Sequence, residues 1–204
     1  MNVLVIDYGM GNIGSVRRSF EECGAKVIVS DCPDDLRQVS QIVLPGVGAF
    51  AEGMSQLRSR GWVDPLRQAT FQDQLPILGI CLGMQLLASR GFEGGETEGL
   101  GFIDGVVKQL KPQVSSERIP HVGWNEVYPA PNNQLFAGIP DGADFYFVHS
   151  FHFLPKCDAH IAARTPYCGQ ITSAVVAGNI CGVQFHPEKS SHVGFQVIRN
   201  FLSM

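Results

Sequence analysis

The stretch PILGICLGMQLLA, residues 76–88, places an apolar run directly before a glycine-flanked turn and a second apolar run. The run at residues 76–80 is short and bounded by proline and glycine, which is typical of a buried strand. The second run, Met84 to Ala88, predicts a buried helix. A strand that passes through a tight turn into a helix is the repeating unit of α/β proteins with parallel sheets.

The same alternation extends along the chain on both sides of this stretch. Strands are predicted at residues 2–7, 26–30 and 41–44, with helical segments between them and a helix break at Gly61. From about Gly99 the chain turns to short β-like runs, with a hairpin signal at residues 177–179 and a last helix at 193–202. We therefore predict one domain, residues 1–204, of the α/β class. It has an open, mostly parallel sheet with helices on both faces, and antiparallel β additions in the C-terminal half.

Composition excludes several classes of function. Only 17% of the 204 residues are charged, against about 25% in an average soluble domain, and 45% are apolar. The net charge is −4 and no basic run exceeds Arg17-Arg18, so nucleic acid and membranes are not expected partners. The first residues lack the basic start of a signal peptide, and none of the six cysteines has C-x-x-C spacing. We expect a cytoplasmic protein with reduced thiols.

The first candidate motif is G-x-G-x-x-G at residues 9–14, placed between a predicted strand and a predicted helix. With Asp31 at the end of the next strand, this spacing is that of a dinucleotide-binding turn. The alternative is a glycine-rich turn with no nucleotide. Asp7, just before the first glycine, favours the alternative because a carboxylate repels a pyrophosphate.

The second candidate is the turn of residues 79–83, which has the form of a nucleophile elbow with Cys81 in the position of the attacking residue. Glycines two residues before and after Cys81 allow the strained turn, and a helix N-terminus favours the thiolate. A buried cysteine in a tight turn is the simpler alternative. The agreement of strand, glycines and helix favours the nucleophile.

Two further motifs would complete such a site. His186 and Glu188, two residues apart across a proline, can supply a general base and the carboxylate that fixes its tautomer. The glycine-rich loop at residues 44–48 follows a predicted strand, so its N–H groups can turn toward an oxyanion together with the N–H of Leu82. Each of these motifs is weak alone and gains weight from Cys81.

Taken together, these motifs resemble the class I glutamine amidotransferases of the triad type, which have a flavodoxin-like fold. Within that family the chain is most similar to the glutaminase subunits of imidazole glycerol phosphate synthases. The resemblance runs through the whole chain: DYGMGN at 7–12, PGVGAF at 45–50, LGICLGMQLL at 78–87, PHVGWN at 120–125, FYFVHS at 145–150 and GVQFHPEKS at 182–190.

The resemblance implies hydrolysis of L-glutamine to glutamate and ammonia, with no metal and no cofactor. Cys81 would attack the amide, His186 would transfer the proton and Glu188 would orient His186. The resemblance assigns the other site residues as follows: Gly46, Val47, Gly48 and Leu82 hold the oxyanion, and Gln85, Glu93, Ser150 and Phe151 hold the glutamine. Phe151 stands where many relatives carry tyrosine, so only its backbone role carries over.

The resemblance also implies a partner. The ammonia would pass to a (β/α)8-barrel synthase subunit in a heterodimer, which makes imidazole glycerol phosphate and an aminoimidazole carboxamide ribonucleotide in histidine biosynthesis. Asn12, Trp124 and Lys189 would face that subunit, and glutaminase activity would be low without it. The low charge content then has a second explanation besides core composition, because interface cores are depleted in charge.

Two other functions are also compatible with the sequence. The first is a paralogous amidotransferase subunit that serves amidation of a surface sugar through a similar barrel, because the motifs at Cys81 and His186 are the same. The second is a dinucleotide-binding module that uses residues 9–14 and Asp31. A metal site is not predicted, since His149 and His152 fall on opposite faces of a predicted strand and lack a third ligand nearby.

Overall fold

The computed structural model describes residues 1–204 and contains thirteen strands and five α-helices. The strands are β1 (Asn2–Ile6), β2 (Lys26–Ser30), β3 (Gln41–Leu44), β4 (Ile77–Ile80), β5 (Ala88–Gly91), β6 (Thr97–Glu98), β7 (Ile103–Gln109), β8 (His121–Pro129), β9 (Ala143–His149), β10 (Phe151–Pro155), β11 (Ile161–Thr165), β12 (Ile171–Ala177) and β13 (Ile180–Val183). The helices are α1 (Ile13–Glu22), α2 (Phe50–Ser59), α3 (Val63–Phe71), α4 (Leu82–Leu86) and α5 (Ser191–Leu202).

Nine strands form a central sheet in the order β2-β1-β3-β4-β13-β12-β11-β8-β9. The first five strands in this order are parallel, and the remaining four join them in antiparallel pairs. Strands β3, β4 and β13 are buried along their whole length, because helices cover both faces of the parallel part. The predicted α/β class, parallel sheet and antiparallel additions are confirmed.

Helices lie on both faces of the sheet and form two apolar cores. On one face, α2, α3 and α4 contribute side chains such as Phe50, Leu66 and Leu82 to a cluster of 26 buried residues. On the other face, α1 and α5 contribute side chains such as Phe20 and Phe201 to a cluster of 22. No helix combines the length and apolar character needed to cross a bilayer.

The helix predicted at Met84 to Ala88 is wrong in its extent. Helix α4 ends at Leu86, and Ala88 begins strand β5 of a separate four-stranded sheet, ordered β10-β7-β5-β6. The carbonyl oxygens of Leu87 and Ala88 accept hydrogen bonds from the N–H groups of Phe102 and Gly101. These distant partners replace the bonds that would have continued the helix.

Candidate active site

The turn at Cys81 has the backbone conformation of a nucleophile elbow. Cys81 has φ +55° and ψ −110°, a region in which a non-glycine residue is strained by about 1–3 kcal/mol. A Cβ atom added to Gly79 would lie 2.7 Å from the carbonyl carbon of Gly83, so the turn closes only with glycine at residue 79. The arrangement presents Cys81 between the end of β4 and the start of α4.

The pairing of β4 with β13 places His186 near Cys81. Strands β4 and β13 are parallel neighbours with Ile80 opposite Val183, and the Cys81 N–H donates to the Val183 carbonyl at 2.8 Å. The segment after β13 therefore leaves the sheet at the same edge as Cys81. The His186 N–H donates to the Tyr146 carbonyl at 2.9 Å, which fixes this segment against β9.

His186 and Glu188 form a buried pair. The His186 Nδ1 atom lies 2.8 Å from Glu188 Oε1, and the two side chains are 3% and 1% exposed. Burial alone lowers the pKa of His186, but its interactions with Cys81 and Glu188 outweigh burial and raise the pKa to about 10. His186 Nε2 is buried and has no hydrogen-bond partner, so it is the ring nitrogen free to exchange a proton.

A cavity of about 320 Å³ opens beside Cys81, a volume within the usual range for small-molecule sites. It brings together every residue that the sequence assigned to catalysis, the oxyanion or glutamine, except Gly46 and Glu188. Those two residues line a much smaller adjoining cavity with Asn12 and His186. The residues of the larger cavity are Val47, Gly48, Cys81, Leu82, Gln85, Glu93, Val148, His149, Ser150, Phe151 and His186.

Gln85 is held rigidly in this cavity. Its amide nitrogen donates to the Phe151 carbonyl and to Gln184 Oε1, both at 2.9 Å. Both N–H groups are therefore used inside the protein, which leaves the side-chain oxygen to accept from a ligand. Glu93 accepts from the Phe50 N–H at 2.8 Å, at the first residue of α2, where a carboxylate is favourable.

The predicted oxyanion site is closed in this conformation. The Leu82 N–H donates to the Gly46 carbonyl at 3.3 Å, so it is not free to bind an oxyanion. In a trans peptide the C=O and N–H groups point in opposite directions, and the Val47 N–H therefore points away from Leu82. The two N–H groups therefore do not converge in this conformation, because the Gly46–Val47 peptide presents its carbonyl to Leu82.

The three predicted interface residues lie around one side of the triad. Asn12 lines the small cavity with Glu188, and Lys189 follows Glu188 in the chain. The Lys189 ammonium lies 5.6 Å from the ring centre of Tyr146. Tyr146 stands opposite Trp124 in the β8–β9 pair, and Trp124 is 55% exposed.

The strand residues around Trp124 carry no charge over two successive pairs, and Lys189 lies beside them against Tyr146. Val122 opposes Val148 and Trp124 opposes Tyr146, whereas the next outward-facing pair, Glu126 and Asp144, is acidic. Both valines are exposed. Part of the surface therefore lacks charged strand residues, and this region ends at the acidic pair of Glu126 and Asp144.

The glycine turn at residues 9–14 does not have the form of a nucleotide site. The Asp7 carboxylate accepts the Gly9 N–H at 3.1 Å, and Asn12 accepts the Ser15 N–H at 3.4 Å at the start of α1. These are the N–H groups that a pyrophosphate would need. Asp31 is exposed.

Gln184 is a further residue of the site that was not predicted from the sequence. Gln184 connects Gln85 to Cys81, since it accepts from Gln85 and its Nε2 lies 3.7 Å from Cys81 Sγ. Its position two residues before His186 was a usable signal, because alternate residues of an extended segment face the same way.

Two buried histidines, His121 and His149, form a chain of hydrogen bonds that was not predicted from the sequence. His149 Nδ1 lies 2.8 Å from the Phe151 carbonyl, which fixes the proton on Nδ1. His149 Nε2 then accepts from His121 Nδ1 at 3.0 Å, and His121 Nε2 accepts from Asn125 at 3.2 Å. Both rings are neutral, and burial lowers the pKa of His121 to about 4 and that of His149 to about 3. No sequence pattern indicated this pairing across β8 and β9.

Comparison with known proteins gives a consistent result. The family described as glutamine amidotransferase class-I matches residues 4–204. "Imidazole glycerol phosphate synthase subunit HisH" from Moorella thermoacetica is 44% identical over 98% of this chain and 93% of its own length. A protein with the same subunit name, from Pelagibacter ubique, is 39% identical over 100% of both chains.

Solved structures agree in fold. A chain described as a glutamine amidotransferase superposes with a TM-score of 0.77 at 17% identity, covering 98% of this chain and 97% of that one. A chain of PurLQS from Thermotoga maritima superposes with a TM-score of 0.75 at 19% identity, covering 99% and 97%. With the family match spanning almost every residue, the chain belongs to the class I glutamine amidotransferases.

Proposed function

We propose that the chain is a glutaminase subunit that hydrolyses the side-chain amide of L-glutamine and delivers the ammonia to a synthase partner. The observation that carries the proposal is the placement of Cys81, on a strained elbow, at the same sheet edge as the buried His186–Glu188 pair. A nucleophile and a base in one cavity, with a carboxylate bonded to the base behind it, are the requirements for acyl transfer from an amide.

The pKa of His186 decides the starting protonation. Because it is raised to about 10, the ring is an imidazolium at neutral pH. The Cys81 thiolate attacks the amide carbon, and the C–N bond then breaks as His186 Nε2 gives its proton to the leaving ammonia. A water molecule attacks the resulting thioester, with His186 accepting its proton, and the thiolate leaves as glutamate forms. Glu188 keeps Nε2 directed at these steps.

The oxyanion of both steps requires a change at the Gly46–Val47 peptide. Rotation of this peptide by about half a turn breaks the bond between Gly46 and Leu82 and points the Val47 N–H into the site. The N–H groups of Val47 and Leu82 then converge on the oxyanion, and Gly48, with φ +112°, supplies the backbone freedom next to the moving peptide. The closed conformation is the low-activity state, and docking of the partner shifts the population toward the rotated one.

Glutamine is held by the far end of the cavity. The carboxylate of Glu93 and the side-chain oxygen of Gln85 accept from its ammonium group. The Phe151 carbonyl already accepts from Gln85 and His149, so the segment Ser150-Phe151 contributes N–H groups, which suit the glutamine carboxylate.

The partner is a (β/α)8-barrel synthase subunit that forms a heterodimer with this chain. Two observations support it. Relatives spanning the whole chain are named as subunits of imidazole glycerol phosphate synthase. The exposed side chains of Val122, Trp124 and Val148, which carry no charge, lie on the strand pair that contacts the His186 segment. Within that complex the ammonia is used to make imidazole glycerol phosphate and aminoimidazole carboxamide ribonucleotide in histidine biosynthesis. Residues 1–204 act as one glutamine amidotransferase domain.

The test is a glutaminase assay of the purified chain, alone and with the barrel subunit and its nucleotide substrate. Glutamate release is expected to be low for the chain alone and to rise in the complex. Cys81→Ala abolishes it, whereas Cys157→Ala, which changes an exposed cysteine outside the cavity, leaves it intact. Activity retained by Cys81→Ala would refute the proposal.

A further inference from the structure

We infer that the Tyr8 hydroxyl is a positioning group for the oxyanion site, which donates a hydrogen bond to the Gly46 carbonyl when the Gly46–Val47 peptide rotates. The inference rests on the proposed glutaminase function. It concerns a side chain that touches neither glutamine nor the reacting atoms and acts through the backbone of the loop.

Tyr8 carries a buried polar atom with nothing to bind. The side chain is fully buried, and its hydroxyl has no hydrogen-bond partner. Leaving such a group unpaired costs about 1–3 kcal/mol, and most buried polar atoms in folded proteins are paired. A hydroxyl that is unpaired in one conformation of a protein can form a hydrogen bond in another conformation.

The hydroxyl lies against the residue that must move. Tyr8 follows β1, which pairs with β3, and the loop containing Gly46 follows β3. A Cβ atom added to Gly46 would collide with the Tyr8 hydroxyl and would lie 2.9 Å from Leu82 Cβ. Burial, with the nearby charge of Cys81, raises the pKa of Tyr8, so its hydroxyl remains protonated and can donate.

The rotated peptide needs such a donor. In the present conformation the Gly46 carbonyl accepts from Leu82 at 3.3 Å, which is long for an N–H···O bond. Rotation removes this donor and leaves the carbonyl of a buried residue unpaired. The Tyr8 hydroxyl can turn about its C–O bond to follow the carbonyl, and the number of hydrogen bonds is then the same in both states.

The test compares Tyr8→Phe, which removes only the hydroxyl, with Tyr128→Phe, which removes an exposed hydroxyl bonded to Glu126. Each is assayed in the complex with the barrel subunit and its nucleotide. For Tyr8→Phe we expect kcat for glutamate release to fall about 5- to 30-fold with the KM for glutamine unchanged, as for loss of one hydrogen bond in the active conformation. Tyr128→Phe should match the wild type.

The midpoint of thermal unfolding of the isolated chain is a second readout. It distinguishes a positioning role from a structural one, because a Tyr8 hydroxyl that stabilised the closed fold would lower the midpoint when removed. Because the hydroxyl is unpaired in the closed conformation, Tyr8→Phe should leave the midpoint unchanged or raise it. Wild-type kcat in Tyr8→Phe, or a lowered midpoint, overturns the inference while the proposed function stands. A wild-type complex that releases no glutamate overturns the proposed function instead, and the role of Tyr8 with it.

Discussion

Ile80 and Val183 lie opposite each other in adjacent parallel strands, although they belong to opposite halves of the chain. Each is the last residue of its strand, so the segments that follow emerge at the same edge of the sheet. One segment begins with Cys81, and the other carries His186 and Glu188. The register of a single strand pair therefore brings together the residues of the proposed triad, as is common at the carboxyl ends of strands in open α/β sheets.

Glu188→Gln tests whether the Glu188 carboxylate acts by orienting His186, which affects kcat, and not by binding glutamine, which affects KM. The amide cannot hold the imidazolium as the carboxylate does, so we expect kcat for glutaminase activity to fall by about 10²- to 10⁴-fold with little change in KM. An NMR titration should show the pKa of His186 lowered from about 10 toward its ordinary value. Glu126→Gln, at an exposed carboxylate, is the control. A variant with normal kcat would show that His186 is positioned without Glu188.

The raised pKa of His186 also predicts how the free energy of unfolding changes with pH in the neutral to alkaline range. Between about pH 6.5 and 10 the folded chain keeps a proton that the unfolded chain has lost, so the free energy of unfolding falls as pH rises. One such group contributes a slope of up to about 1.4 kcal/mol per pH unit. Urea unfolding over this range should show a shallower slope in Glu188→Gln than in the wild type. Equal slopes would mean that Glu188 does not contribute to the raised pKa.

The histidine pair predicts the opposite behaviour on the acidic side. His121 and His149 are neutral in the fold, with pKa values of about 4 and 3, whereas the unfolded chain protonates them near pH 6.5. Stability should therefore fall as pH drops from about 6.5 to 4. His121→Gln should reduce this slope, while His192→Gln, at an exposed histidine, should leave it unchanged. A slope unaffected by His121→Gln would place its origin in other groups.

Gly46→Ala tests how tightly the loop is packed. The added methyl group would meet the Tyr8 hydroxyl and the Leu82 side chain, which cannot both withdraw. We expect a loss of about 1–3 kcal/mol in the free energy of unfolding, measured by urea denaturation, with loss of glutaminase activity. Gly14→Ala is the matched control, because nothing lies within 4 Å of its added methyl group. That change, inside α1, should stabilise by about 0.5–1 kcal/mol.

Trp124→Ala tests the docking face. The side chain is 55% exposed, so its removal should leave the stability of the isolated chain nearly unchanged. An aromatic residue central to an interface typically contributes 2 kcal/mol or more, so Kd for the barrel subunit should rise about 30-fold or more. Isothermal titration calorimetry measures both this variant and Tyr128→Ala, an exposed aromatic beyond the acidic edge of the face. Equal affinities for both variants and the wild type would place the interface elsewhere.

Much of this protein follows from local sequence. The glycines around Cys81 dictate an elbow because no other residue allows the close approach of Gly79 to Gly83. Apolar runs such as 41–44 and 77–80 dictate buried strands, and the proline after His186 fixes an extended backbone there. These features depend on neighbours in the chain, and the elements that they predict are present in the structure.

Only the tertiary structure decided the rest. Helix α4 stops at Leu86 because residues 99–103 supply backbone partners that no local pattern reveals. The pairing of His121 with His149 follows from the register of β8 on β9, and the burial that keeps both rings neutral comes from the surrounding fold. The closed oxyanion loop has the same origin: the residue types at 46–48 permit either peptide orientation, and the contact with Leu82 selects one. Sequence determined which groups are available, whereas long-range pairing and burial determined which of them meet and in what protonation state.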